Sequence, residues 1–162
     1  SVLLRRAADL ADKTLVVIGR CHPDIDGILE PYQAVRLPMN NCFEALLGAA
    51  RLRELQNEAT TFFSTPAWLK HWRRAIEQGL KWDETDARQN FGFNGRIIIL
   101  DAGVTPYTDE EVLAFFDFAQ VNIEILPINL DRFGSLLTSE LEKLGTHPPE
   151  PEWPATLETQ SH

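Results

Sequence analysis

Arg96-Ile97-Ile98-Ile99-Leu100-Asp101-Ala102-Gly103 is the stretch on which the fold turns. Four consecutive apolar residues, three of them β-branched, are too few for a helix that hides one face. They suit a strand buried on both faces. A strand buried on both sides needs a cover on each, and its neighbours are then parallel strands joined by helical crossovers. Asp101-Ala102-Gly103 ends the run with turn residues.

The segments on either side agree with that assignment. Upstream, Leu15 to Ile18 is a second continuous run, ended by Gly19, and Val35 to Leu37 is a short one stopped by Pro38. Thr60 to Phe63 is followed by Ser64-Thr65-Pro66, where Thr65 caps a helix and Pro66 occupies its first turn. Trp68, Leu69, Trp72, Ala75, Ile76 and Leu80 then recur at helical spacing, with Gly79 weakening the end. A helix entered at Asn40 or Asn41 carries Phe43, Leu46, Leu47 and Ala50. Lys81 to Gly95 is a polar connection with room for a short helix. Downstream, Thr108 and Glu111 form a capping box ahead of Val112, Leu113, Phe115, Phe116 and Ala119. Ile123 to Leu126 is a fifth strand, and a last helix covers about Arg132 to Leu144. An opening helix is marked by Leu3, Leu4, Ala7, Ala8 and Leu10.

The expected fold is therefore α/β: a doubly wound three-layer sandwich, with a mostly parallel sheet of about five strands and helices on both faces. One domain over residues 1–145 is expected, followed by a Pro/Glu-rich flexible tail over 146–162 that Trp153 pins locally. The chain begins at Ser1 without a Met, inside a helical pattern, which is expected of a shortened or processed product or of the remainder of a longer protein.

Composition narrows the function. The net charge of -9 opposes docking on phosphate backbones or anionic lipid, so neither nucleic acid nor a membrane surface is an expected partner. No apolar run approaches the roughly 18 residues of a membrane span, and Arg5-Arg6 follows Val2–Leu4 too soon for a signal peptide. Two cysteines are too few for a disulfide framework and suit a reducing, cytoplasmic setting.

Ligands of open parallel sheets bind beyond the carboxyl ends of the strands. That rule selects Arg20, Cys21, His22, Asp24 and Asp26 after the first strand, then Asn40, Asn41 and Cys42 after the second. After the third come Ser64, Thr65 and Trp68, after the fourth Asp101 and Gly103, and after the fifth Asn129 and Asp131. Cys42 in a first helical turn is placed where amides and the dipole favour a thiolate. Cys21, Cys42 and His22 with nearby carboxylates form a donor set for zinc or another thiolate-bound metal. The competing reading makes Cys42 a small core residue and Cys21 a buried strand end. Asp101 is either a catalytic or ligand-holding carboxylate or a loop cap. Trp68 and Trp72 are core partners, with ligand stacking by Trp68 as the alternative. Asp24-Ile25-Asp26-Gly27 lacks the remaining positions of a calcium loop. No phosphate loop, dinucleotide fingerprint or nucleophile elbow is present.

Three segments resemble the bacterial and archaeal family catalogued as domain of unknown function 1638: Val16-Val17-Ile18-Gly19-Arg20-Cys21, Leu37-Pro38-Met39-Asn40-Asn41-Cys42-Phe43-Glu44-Ala45-Leu46-Leu47-Gly48, and Thr60-Thr61-Phe62-Phe63-Ser64-Thr65-Pro66-Ala67-Trp68-Leu69. A weaker similarity continues through Asn90-Phe91 and Ile97 to Gly103, so the resemblance covers about residues 15–140. It implies that Cys21 and Cys42 matter, together with Trp68 and Asp101. It also implies an association with corrinoid-dependent methyl transfer, with a corrinoid or a metal as cofactor and corrinoid methyltransferase components as partners. Two places depart from the family pattern: His22 to Gly27 replaces a glycine-rich turn, and Asn40-Asn41 replaces a His-Asp pair. The family's additional N-terminal strand has no counterpart here, which implies a truncated start and an exposed sheet edge suited to homo-oligomers.

Three functions are thereby expected in competition. One is a metal- or cofactor-binding accessory of one-carbon metabolism that uses a two-cysteine crevice, with Cys21, Cys42 and His22 on metal and Asn41, Trp68 and Gly103 on cofactor. Another is an enzyme with Cys42 as nucleophile and Asp101 or His22 assisting. The third is a non-catalytic interaction module.

Overall fold

The computed structural model describes residues 2–20 and 22–145. In chain order the elements are α1 (Val2–Leu10), β1 (Thr14–Val16), α2 (Ile25–Leu29), a 3-10 turn (Glu30–Tyr32), β2 (Ala34–Arg36), α3 (Cys42–Leu47), α4 (Ala49–Glu58), β3 (Thr61–Ser64) and α5 (Pro66–Arg73). A π-helical stretch (Arg74–Leu80), α6 (Glu84–Phe91), β4 (Arg96–Asp101), α7 (Asp109–Ala119), β5 (Ile123–Pro127) and α8 (Asp131–Lys143) follow. The expected tail and Trp153 lie outside the described residues, as does Cys21. No helix among the described residues is long and apolar enough to cross a membrane.

All five expected strands are present and every pairing is parallel, but they form two sheets, β1-β2 and β3-β4-β5, where one sheet of about five was expected. The reason lies in β1. Its run of apolar residues stays in the ladder for only three positions, none of them fully buried, and Val17 beyond it is 54% exposed. A continuous apolar run implies burial on both faces, and this one is only half covered. The described residues divide into two compact units, one within residues 2–38 and 134–145 and the other residues 39–133.

In the smaller unit, β1 and β2 pair from Thr14↔Ala34 to Val16↔Arg36. Arg36 reaches back to Asp26 of α2 at 2.7 Å. Lys13 donates to the Leu144 carbonyl near the end of α8, a position where a cation complements the helix dipole.

The larger unit is a three-layer sandwich by itself. Alternation along β4 sends Ile97 and Ile99 to one face, where they meet Leu69, Trp72, Phe91, Phe115 and Phe118 from α5, α6 and α7. Ile98 and Leu100 go to the other face and meet Leu52 and Leu55 of α4, with Phe43, Leu46 and Leu47 of α3 at the border. Side chains of a strand alternate between faces, so one six-residue strand supplies the centre of both cores. Both crossovers, β3 to β4 and β4 to β5, carry their helices on the same face. The strand order β3-β4-β5 advances in one direction, so the expected double winding does not occur within this sheet.

Local signals explain the helix starts. Thr65 accepts the Trp68 amide, Asn41 accepts the Glu44 amide, and the Thr108–Glu111 box is closed in both directions. A second box, Asp83–Asp86, starts α6 inside the polar connection. Gly48 breaks α3 from α4 with φ +80, and a Cβ built on it would lie 3.1 Å from the Arg132 guanidinium carbon. Gly48→Ala therefore meets both left-handed strain and a crowded neighbour. Its expected loss is about 1–2 kcal/mol, read as a drop in the midpoint of thermal unfolding by circular dichroism. An unchanged midpoint would contradict the bend.

Candidate functional site

Parallel pairing brings three strand ends together in the larger unit. Ser64 lies opposite Ile99 and Asp101 opposite Pro127, so the loops leaving β3, β4 and β5 are neighbours. A cavity of about 240 Å³ opens among them. Its walls are Thr65, Pro66 and Ala67 at the start of α5, Leu100 and Ala102 at the end of β4, and Ile128 and Leu130 after β5. Val104, Thr105 and Leu46 of α3 complete it. The strand-end rule points to this edge and to Thr65, but through polar groups. The walls are mostly aliphatic, and the only signal for them was position: Ala102 and Ile128 are the first residues after their strands.

Asp101 stands beside this edge as a loop-holding residue. One carboxylate oxygen accepts the Gly103 amide at 2.8 Å and the other accepts the Tyr107 hydroxyl at 3.2 Å. Its main-chain carbonyl accepts the Ile128 amide at 2.8 Å, tying the two post-strand loops together. Gly103 has φ +71, a backbone conformation that favours glycine, with open space where a side chain would be. Burial, and next the hydrogen bond to Asp101, hold the Tyr107 phenol above its ordinary pKa of 10.0. The neutral phenol is thus favoured in the folded state. Its contribution to stability is full below pH 10 and is lost as the pH rises through the raised folded-state value. Tyr107→Phe should therefore show a flatter fall in denaturant midpoint above pH 10 than wild type. Parallel curves for the two proteins would rule this linkage out.

The other expected site residues are distributed as follows. Trp68 is half-buried, with its ring 5.5 Å from Phe62 and 5.2 Å from Phe115, so its described contacts are those of the aromatic core. Asn41 caps α3 through its side-chain oxygen at 2.9 Å, and Asn40 donates to Glu44 at 2.7 Å. Cys42 is exposed and is not a core residue. It lies four residues before Leu46 on α3, hence one helical turn, about 5–6 Å, from a residue of the cavity wall. His22 belongs to the smaller unit and is exposed, its Nδ1 accepting the Asp24 amide at 3.1 Å. Among the described residues no group of three or more His, Cys, Asp or Glu side chains is placed to hold a metal ion.

The smaller unit has a broader depression of about 430 Å³ along α2 and β2, lined by Leu29, Val35 and Pro38 and by the Asp26–Arg36 pair. Glu30 lines it as well, and Asp26 and Arg36 already satisfy one another. The cavity of the larger unit occupies the place where open parallel sheets bind ligands.

No curated protein and no solved structure matches this chain. The family model described as "Protein of unknown function (DUF1638)" matches residues 3–137, most of the sequence, and the chain belongs to that family.

Proposed function

We propose that this protein binds a small, mainly apolar molecule at the carboxyl edge of the β3-β4-β5 sheet. The observation that carries the reading is the 240 Å³ cavity lined by the three post-strand loops, the start of α5 and α3. Ligand sites are concave and mostly apolar with a few placed polar groups, and here Thr65 and Thr105 are the polar groups. The test is a ligand-observed NMR screen of small metabolites against wild type and Ala102→Leu. The leucine fills part of the cavity, so genuine ligands should lose at least tenfold in affinity while the variant stays folded. Ligands that bind both proteins equally would remove the cavity from consideration.

A finer reading places the protein beside corrinoid-linked methyl transfer in the cytoplasm, with Cys21, Cys42 and His22 on a zinc-like metal and corrinoid methyltransferase components as partners. Its support is the family resemblance together with the exposure of Cys42 one turn from the cavity wall. The described residues do not themselves supply a three-donor set, so no chemical step is assigned to a metal. Elemental analysis of anaerobically purified wild type and Cys21→Ser/Cys42→Ser decides the matter. Near-stoichiometric metal that disappears in the variant is the expected result for a thiolate site. Metal-free wild type would end that reading and leave the cavity proposal standing. A catalytic role for Asp101 has less support, because both carboxylate oxygens already hold the loop.

A further inference from the structure

We propose that the cavity takes an uncharged aliphatic molecule of about eight non-hydrogen atoms, at roughly 30 Å³ per water-sized atom, and discriminates against the anion of the same shape. The inference rests on the reading of this cavity as a binding site. Among the described residues no Lys, Arg, His, Asp or Glu side chain lines it. A carboxylate leaving water needs a cation or several hydrogen-bond donors to hold its charge. The donors on the wall are threonine hydroxyls and backbone amides. The Thr65 oxygen already accepts the Trp68 amide, leaving its own hydrogen to donate. Pro66 at the head of α5 has no N–H and the Trp68 amide is capped by Thr65, so the Ala67 amide is one donor without an acceptor inside the helix. The Thr105 hydroxyl is the remaining polar side chain of the lining.

The threonine hydroxyls and backbone amides of the wall suit a neutral acceptor such as a carbonyl oxygen, while the aliphatic remainder lies against Leu46, Leu100, Val104, Ile128 and Leu130. No cationic side chain stands among the described lining residues to offset a full negative charge. The chain's net charge of -9 adds long-range repulsion for an anion. A cation fares no better, since the nearest carboxylate along β4, Asp101, is engaged by Gly103 and Tyr107 and does not line the cavity.

Hexanamide and hexanoate test this directly, because they share one carbon chain and one non-hydrogen atom count and differ in charge at pH 7. Each is titrated into the full chain with labelled Leu, Val and Ile methyl groups, following the signals of Leu46, Val104 and Ile128. Hexanamide should shift all three and bind at least tenfold more tightly than hexanoate. Equal or tighter binding of hexanoate at these methyl groups would overturn the charge discrimination while leaving the cavity as a site. Silence from both compounds would overturn the inference, and the metabolite screen with Ala102→Leu then decides the cavity reading separately.

Discussion

Phe115→Ala is expected to destabilise the protein by about 3–5 kcal/mol. Phe115 is fully buried, and its ring touches three others: Trp68 at 5.2 Å, Trp72 at 5.3 Å and Phe91 at 5.7 Å. It thus joins α7 to α5 and α6 over the Ile97 and Ile99 face of β4. Truncation removes the transfer free energy of the ring and leaves a cavity that three aromatic rings cannot collapse to fill. The edge-to-face contacts with Trp68 and Phe91 add a smaller share. Leu113, two residues earlier on the same helix, is 58% exposed, and Leu113→Ala should change stability by no more than about 0.5 kcal/mol. Urea unfolding of the pair gives the comparison: the midpoint falls strongly for Phe115→Ala and stays put for Leu113→Ala. Similar losses in the two variants would mean that α7 presents a different face to the sheet.

The contrast between these two residues shows what the sequence made legible. Val112, Leu113, Phe115, Phe116 and Ala119 mark a helix, because apolar residues recur with its period, yet periodicity alone does not separate Phe115 from Leu113 or Phe116. Burial depends on what arrives from α5, α6 and β4, which are distant in sequence. Local chemistry was read more fully. Thr65, Asn41 and the Thr108–Glu111 box all cap as expected, since their hydrogen bonds close within four residues. The Asp83–Asp86 box obeys the same logic, although the surrounding polar stretch hid it as a mere connection.

Strand positions were legible to within a residue or two, and their grouping was not. Runs of β-branched residues mark each strand, whereas pairing is a choice among partners that the run itself does not encode. β1 illustrates the difference. Leu15 to Ile18 resembles Ile97 to Leu100 in composition, yet only Ile97 to Leu100 is covered on both faces. The site divided in the same way. The rule for parallel sheets located the edge, and it found Thr65. The cavity's aliphatic walls carry no chemical mark in sequence, and Leu46 and Ile128 meet only because α3 and the β5 loop converge on the same strand end. Two of the expected site residues make contacts that hold backbone: Asn41 caps α3, and Asp101 accepts the Gly103 amide.

Arg96→Ala is the second large effect, with an expected loss of about 2–4 kcal/mol. The Arg96 side chain is 13% exposed and is held by four acceptors from three elements. It donates to Glu58 at 2.7 Å and the Leu55 carbonyl at 2.9 Å on α4, to Thr61 at 3.2 Å on β3, and to Glu124 at 3.2 Å on β5. The planar fork of a guanidinium serves such divergent acceptors at once. Glu58 and Glu124 are 48% and 43% exposed and rehydrate when the cation is removed, which keeps the loss below that of a fully buried pair. Arg96→Lys should recover less than half of it, because one ammonium group cannot span α4, β3 and β5 together. Arg96 begins β4 and Asp101 ends it, so at about 3.3 Å per residue the guanidinium acts roughly 17 Å from the cavity edge. Folded Arg96→Lys should consequently unfold at lower denaturant concentration while binding any ligand of the cavity within twofold of wild type. Full recovery of stability by lysine would mean that charge alone, rather than the four-way geometry, holds the amino edge of the sheet.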